Sequence, residues 1–283
     1  MIPRIGFSLQ KQYDRPYTQV IPLLSENGFS AVSPVWSEEL DMQSLSDCAK
    51  CNSVEIQSVH APHRGVDLLW KEKTEKSDAV FANIIRGIED CARFEVPTLV
   101  LHGWGGLYYT FPGTPLDFGF FDRIVRKAEE CGVSVAFENL EGEEYLAALM
   151  ERYKTCKHIG YCWDSGHDNC YPHKTDFLKS YGDRLIMTHI NDNLGLRRED
   201  GIPMGEDDLH FIPGDGAIDW DSAMARLATA PKQKIINFEL KTASHSTATE
   251  DLIYAELPLE KFIAKAGNCA RKVAEKYAAA IRT

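Results

Sequence analysis

The sequence has no long apolar run. Nowhere do about 18 apolar residues follow one another, so no segment reads as a membrane-spanning helix. It has no excess of basic charge either. Its 31 Lys and Arg stand against 42 Asp and Glu, net −11, which disfavours nucleic acid or an anionic membrane surface as partner. Neither GxGxxG nor GxxxxGK followed by Ser or Thr occurs, so the two common phosphate-cradling loops are missing. Cys48 and Cys51 form one CxxC, but no second pair completes a tetrahedral structural zinc site. The eight cysteines are scattered in the manner of reduced thiols, which predicts a cytoplasmic location. The opening residues, Met-Ile-Pro-Arg-Ile-Gly-Phe-Ser-Leu, lack the basic, apolar, small-residue plan of a signal peptide and read as a strand.

What is present is an alternation of short β-rich runs and longer helical patterns. Apolar residues at 44% and charged residues at 26% are globular values. Strands are expected over 4–9, 31–36, 55–61, 98–103, 134–140, 159–164, 185–190 and 234–240. Helices are expected over 16–27, 44–52, 77–94, 118–131, 143–155, 174–181, 220–229 and 249–281, with Pro97 and Gly132 as stop signals. Eight strand–helix units in 283 residues predict an α/β fold, a (β/α)8 TIM barrel forming a single domain over 1–283. The longest irregular stretch, 193–218, is long enough to act as a lid.

In such a barrel the C-terminal strand ends form the active-site rim. Here those ends carry His60, His102, Glu138, Asp164 with His167 just beyond, His189, and Glu239. The long loop after the seventh strand adds Asp208 and His210. A lone histidine at such a place is more often a hydrogen-bonded core residue. Nine ionisable groups on one rim would be costly to bury unpaired, and a divalent cation would neutralise them. Imidazole with carboxylate suits zinc, manganese, cobalt or iron. Asp164-Ser-Gly-His167 sets two ligands across a tight turn, and Asp208-Leu-His210 has the period-2 spacing that points both side chains one way.

The ordered set, with the strings SVHAPH (58–63), FEN (137–139), DSGH (164–167), HINDN (189–193) and DLHFIPGDGAIDW (208–220), resembles the xylose isomerase-like TIM-barrel superfamily over essentially the whole chain. Resemblance to its ketose 3-epimerases implies one ion (Zn, Mn or Co) on Glu138, Asp164, His189 and Glu239, with His167 touching a sugar or sugar phosphate. Resemblance to endonuclease IV-type AP endonucleases implies up to three zinc ions, with His60, His102, His167, Asp208 and His210 as further ligands. Those epimerases carry an Arg near where His210 falls, and this sequence departs from them there.

On the sugar reading, Glu138 and Glu239 lie almost across the barrel and form an acid/base pair for isomerisation or epimerisation through an enediolate, with His167 as the third catalytic group. A keto-polyol dehydratase would use the same centre, and a carbohydrate-binding relative with a decayed centre would not turn over. On the endonuclease reading a basic groove is needed. The loop GWGGLYYTFPGTPLDF (103–118) has no Lys or Arg, and Arg197 and Arg198 are outnumbered by Glu199, Asp200, Glu206, Asp207 and Asp208. Trp36, Trp104 and Tyr108 are candidate walls of a sugar pocket, against plain packing. His63 is a candidate substrate contact, and Lys241 a candidate partner for an anionic group. Asn139, Asn191 and Asp192 are candidate orienting partners. His158, His173 and His245 fall outside the strand-end phase and are read as uninvolved. The long final helix offers a face for a homo-oligomer.

Overall fold

Nine short strands and their helices form a closed parallel barrel in the computed structural model, which describes residues 1–10, 13, 15–71, 73–107, 109–112, 115–243 and 246–282. The strands are β1 (Arg4–Leu9), β2 (Phe29–Pro34), β3 (Glu55–Ile56), β4 (Val59–His60), β5 (Thr98–His102), β6 (Ser134–Glu138), β7 (Ile159–Asp164), β8 (Leu185–His189) and β9 (Ile235–Phe238). They pair in the orders β3-β2-β1-β9 and β4-β5-β6-β7-β8, all parallel. Parallel bridges Val35–His60 and Ile190–Phe238 join the two runs into a cylinder. The expected third strand, 55–61, is therefore two pieces. Gln57 donates its N–H to Val32 and Ala61 to Val100, so the chain changes neighbour between them.

Alternation along the strands sorts the interior from the outer core. Phe7, Val32, Leu99, Phe137, Tyr161 and Phe238 belong to the large apolar cluster that includes the helices. The other phase gives a separate small cluster, Val100, Ala136, Cys162 and Met187. Its continuation is polar: Asn237 donates to Ser8 Oγ at 2.8 Å, and Ser58 Oγ donates to Ser33 Oγ at 2.9 Å. Two residues further along each strand, in the same inward phase, stand Gln10, His60, His102, Glu138, Asp164, His189 and Glu239. Register sets them at one height, with His102 opposite Glu138 and Asp164 opposite His189.

The helices are α1 (Tyr17–Glu26), α2 (Met42–Cys51), α3 (Glu75–Arg93), α4 (Gly119–Cys131), α5 (Glu143–Arg152), α6 (Ser165–Cys170), α7 (Phe177–Tyr181), α8 (Trp220–Leu227) and α9 (Leu259–Ala280). Two differ from expectation. The last helix begins at Leu259 rather than 249, because Pro258 lacks an N–H and forces the residue before it out of helical geometry. The turn expected at 164–167 is the start of α6, capped by Asp164, whose Oδ1 accepts the His167 N–H at 2.7 Å. Among the described residues no helix is long and apolar enough to cross a membrane.

Candidate metal centre

Glu138 is wholly buried at the end of β6, and four imidazoles surround its carboxylate. Oε2 lies 3.3 Å from His60 Nε2 and 3.4 Å from His102 Nε2. Oε1 lies 3.4 Å from His167 Nδ1 and 3.1 Å from His189 Nδ1. His189 Nδ1 is also 2.9 Å from Glu239 Oε2. Despite these approaches, both Glu138 oxygens and His189 Nδ1 lack a hydrogen-bond partner. The rings and carboxylates are close, but they are not aimed at one another. Two donors each about 2 Å from a tetrahedral ion stand roughly 3.3 Å apart, which matches these spacings.

An uncompensated buried carboxylate costs several kcal/mol, so the donor set fits a divalent cation. Three groups have ligand atoms within 4.8 Å of one another: Glu138, Asp164, His189 and Glu239; His60, Glu138 and His189; and His167, Asp208 and His210. In the last, His210 Nε2 is 2.8 Å from Asp208 Oδ2 and His167 Nε2 is 3.6 Å from it. Nitrogen with oxygen donors suits zinc, manganese or cobalt.

Backbone carbonyls orient the rings. Nδ1 of His60, His167 and His210 faces the carbonyls of Ala61 (2.6 Å), Asn139 (2.9 Å) and Glu239 (2.9 Å). At His60 and His167 the contact fixes the proton on Nδ1 and leaves Nε2 free to bind, whereas His210 Nε2 already meets Asp208 Oδ2. Asn191 Nδ2 reaches both oxygens of Asp164, at 3.1 and 3.0 Å. Asn139 Oδ1 accepts the Asp164 N–H at 2.8 Å. His210 has a left-handed backbone, φ 51°, uncommon for a residue with a side chain.

Charge follows the same geometry. Burial alone would raise the Glu138 and Glu239 carboxyls, but the His189 charge beside them pulls both well below the usual range. At Asp164 burial wins, and the pKa rises to about 6. Burial pushes His102 down, whereas Asp164 and Asp208 overcome burial to push His167 up.

Several placements differ from the sequence expectations. Glu138 and Glu239 reach in from β6 and β9, three strands apart around the barrel, and both converge on His189. Trp36 packs outward against α3. It is buried, its indole Nε1 donates to Asp90 of α3 at 2.8 Å, and it packs beside Gly87. Trp104 lies two residues past His102, stacked on Tyr145. The His63 ring is 5.7 Å from that of His102 and 6.5 Å from that of His60. Lys241 is largely buried, with Nζ 4.0 Å from Asp208 Oδ2. His158 faces the Val133 carbonyl at the start of β7, away from the mouth. Tyr108 and His245 lie outside the described residues. The 193–218 stretch is tied down: Arg197 bonds Asp207 and Asp251, and Asp192 anchors 213–220.

One neighbour of the centre carried no signal among ionisable residues. Gln10, at the end of β1, donates Nε2 to Glu239 Oε1 at 3.0 Å. The strand-end rule, applied to amides as well as acids and imidazoles, would have found it.

A closed parallel barrel with its buried polar cluster at the C-terminal strand ends defines a TIM-barrel protein with its candidate site on the catalytic face of that fold. Residues 21–258 match the family model described as xylose isomerase-like TIM barrel, and the chain belongs to that family. The uncharacterized protein y4fM of Sinorhizobium fredii is 36% identical over 129 residues, 43% of this chain and 38% of that protein, so the match spans well under half of its length. Among solved structures, the IOLI protein with a binding zinc atom has a TM-score of 0.74 at 16% identity, covering 97% of this chain and 99% of that one. The D-psicose 3-epimerase of Clostridium cellulolyticum H10, solved with D-tagatose, has a TM-score of 0.67 at 14% identity, covering 98% and 99%. At these identities the likeness establishes the fold.

Proposed function

We propose that this protein is a divalent-metal-dependent isomerase or epimerase of a sugar or sugar phosphate. The observation that carries the reading is the convergence of two buried carboxylates, Glu138 and Glu239, on one imidazole, with Asp164 completing the group. Glu138, Asp164, His189 and Glu239 would hold the ion, which when bound supplies Lewis-acid polarisation of adjacent carbonyl and hydroxyl oxygens.

The chain's own groups supply the proton chemistry. Glu239, steadied by Gln10, takes the proton alpha to the carbonyl. Glu138 returns a proton to the carbon skeleton from its own side. With both carboxyls held ionised, Glu239 can act as the base, and Glu138 must first take up a proton from solvent before it returns one. His167 holds a substrate hydroxyl. His63 borders the substrate, and Lys241 receives an anionic group such as a phosphate. Dehydration of a keto-polyol would begin with the same proton abstraction.

The test is Glu239→Gln with metal content checked. Solvent deuterium incorporation into a processed ketose, read by NMR, falls by about a hundredfold or more. Unchanged exchange rejects the two-carboxylate scheme.

A second reading is an AP endonuclease-type phosphodiesterase. It is favoured by the two further groups, His60, Glu138, His189 and His167, Asp208, His210, which offer places for additional zinc. The rim argues against it. Arg197 is engaged by Asp207 and Asp251, and Arg198 by Asp200, so neither is free for DNA phosphates. Catalytic nicking of a duplex with an abasic site would install this reading instead.

A further inference from the structure

Beside the barrel mouth lies a second hollow, a cavity of about 500 Å3 walled by four aromatic rings: Trp70, Trp104, Tyr109 and Tyr145. Trp104 and Tyr145 are parallel, with centroids 4.3 Å and planes 7° apart. Trp70 stands 5.0 Å from Tyr145, and its Nε1 donates to the Gly103 carbonyl at 2.7 Å. Tyr109 lies 5.3 Å from Trp104 and donates its hydroxyl to Glu144. The rings are thus fixed without a ligand. Room for Trp104 depends on Gly142, where φ is 80° and a Cβ would stand 2.9 Å from the indole. One lip carries charge: Lys71 and Asp67, four residues apart, form an exposed pair at 2.6 Å.

The cavity adjoins the candidate metal centre. Its wall residue Trp104 follows His102 by two positions. Gly105 passes so near His63 that a Cβ there would be 3.3 Å from the His63 carbonyl. His63 is the ring next to His102 and His60. A ligand over the centre therefore has this neighbouring cavity to extend into.

We infer that this cavity is a subsite for a second sugar ring, so that the substrate is a reducing disaccharide whose ring-opened reducing unit lies over the centre. The inference rests on the sugar reading above. The half-buried rings of Trp70 and Tyr109, backed by the buried Trp104–Tyr145 stack, cover the C–H face of a pyranose, while Asp67 and Lys71 bond its hydroxyls. A purely apolar occupant would leave that charged lip unused, and the volume lies in the ordinary range for a small-ligand pocket.

The experiment titrates the metal-loaded protein with maltose, cellobiose and glucose and reads tryptophan fluorescence, since Trp70 and Trp104 line the cavity. The expected result is saturable quenching by at least one disaccharide, about tenfold tighter than by glucose. Lys71→Met and Tyr109→Ala each weaken it about tenfold, with the melting temperature checked so that unfolding is not mistaken for lost binding. No preference for a disaccharide, unchanged binding in both folded variants, or tighter binding of phenol than of any disaccharide overturns the inference. The two readings fail separately. Deuterium exchange into a free ketose without disaccharide binding removes the subsite alone. Disaccharide binding without exchange into any sugar leaves a carbohydrate-binding cavity and removes the catalysis.

Discussion

Asp192 carries the most demanding hydrogen-bond load in the described chain outside the centre, and Asp192→Asn tests it. The residue is wholly buried. Oδ1 accepts the N–H groups of Asn193 (3.0 Å) and Ile218 (3.1 Å). Oδ2 accepts the Gly214 N–H (2.8 Å) and the Trp220 indole N–H (3.0 Å). Gly216 packs so near that a Cβ would stand 2.2 Å from Oδ1. An amide replaces one acceptor oxygen by an NH2 group, so whichever way it flips, one buried and one part-buried donor face a donor. Leaving a buried donor unsatisfied costs about 1–3 kcal/mol, and the part-buried one adds less, so the pair costs about 3 kcal/mol. At about 2 °C per kcal/mol for a chain of this size, the melting temperature falls by about 6 °C. Asp192→Ala, which abandons all four donors, falls further. Calorimetry or a circular-dichroism melt reads the effect. Asp192→Asn melting within about 2 °C of the parent would refute the reasoning.

His173 makes a pH prediction. Both ring nitrogens face acceptors, Nδ1 the Thr175 carbonyl at 2.7 Å and Nε2 the Asp168 carbonyl at 3.0 Å, so the ring is held doubly protonated. Its hydrogen bond to the Asp168 carboxylate outweighs burial and raises its pKa to about 9. A raised pKa gives stability that is complete below the unfolded value of about 6.5 and is lost as pH rises through about 9. For a half-buried ring the loss is about 1 kcal/mol after solvent screening, and His173→Gln removes this part of the profile. Denaturation curves of parent and variant that stay parallel from pH 6.5 to pH 9 would contradict it. Gly142→Ala combines a left-handed backbone with a clash against Trp104, so it should cost about 1–3 kcal/mol and alter the near-ultraviolet tryptophan spectrum. An unchanged melt and spectrum would contradict that.

The barrel was legible because each strand–helix unit leaves its own periodic trace. The rim was legible because inward positions recur every second residue: His102 follows Val100, Glu138 follows Ala136, Asp164 follows Cys162 and His189 follows Met187. Gln10 obeys the same phase after Ser8, but an amide carries no charge to draw notice. Trp36 was misplaced because an aromatic residue past a strand end can turn outward as easily as inward. Only the partner on α3, Asp90, decides which. The double role of Asp164, both in the candidate metal group and as cap of α6, follows from the His167 N–H that it accepts. Spacing alone could not separate that from a turn. The convergence of Glu138 and Glu239 on His189 depends on side-chain direction, which strand order does not specify.

A divalent ion at the barrel mouth is central to the proposed chemistry. Elemental analysis of the protein, as purified and after incubation with zinc or manganese followed by desalting, tests this directly. At least one ion per chain should be retained, and Glu138→Ala and His189→Ala should lose it. One ion fits sugar chemistry; an ion in each of the three groups fits the phosphodiesterase. Protein that stays free of both metals after incubation would contradict the account.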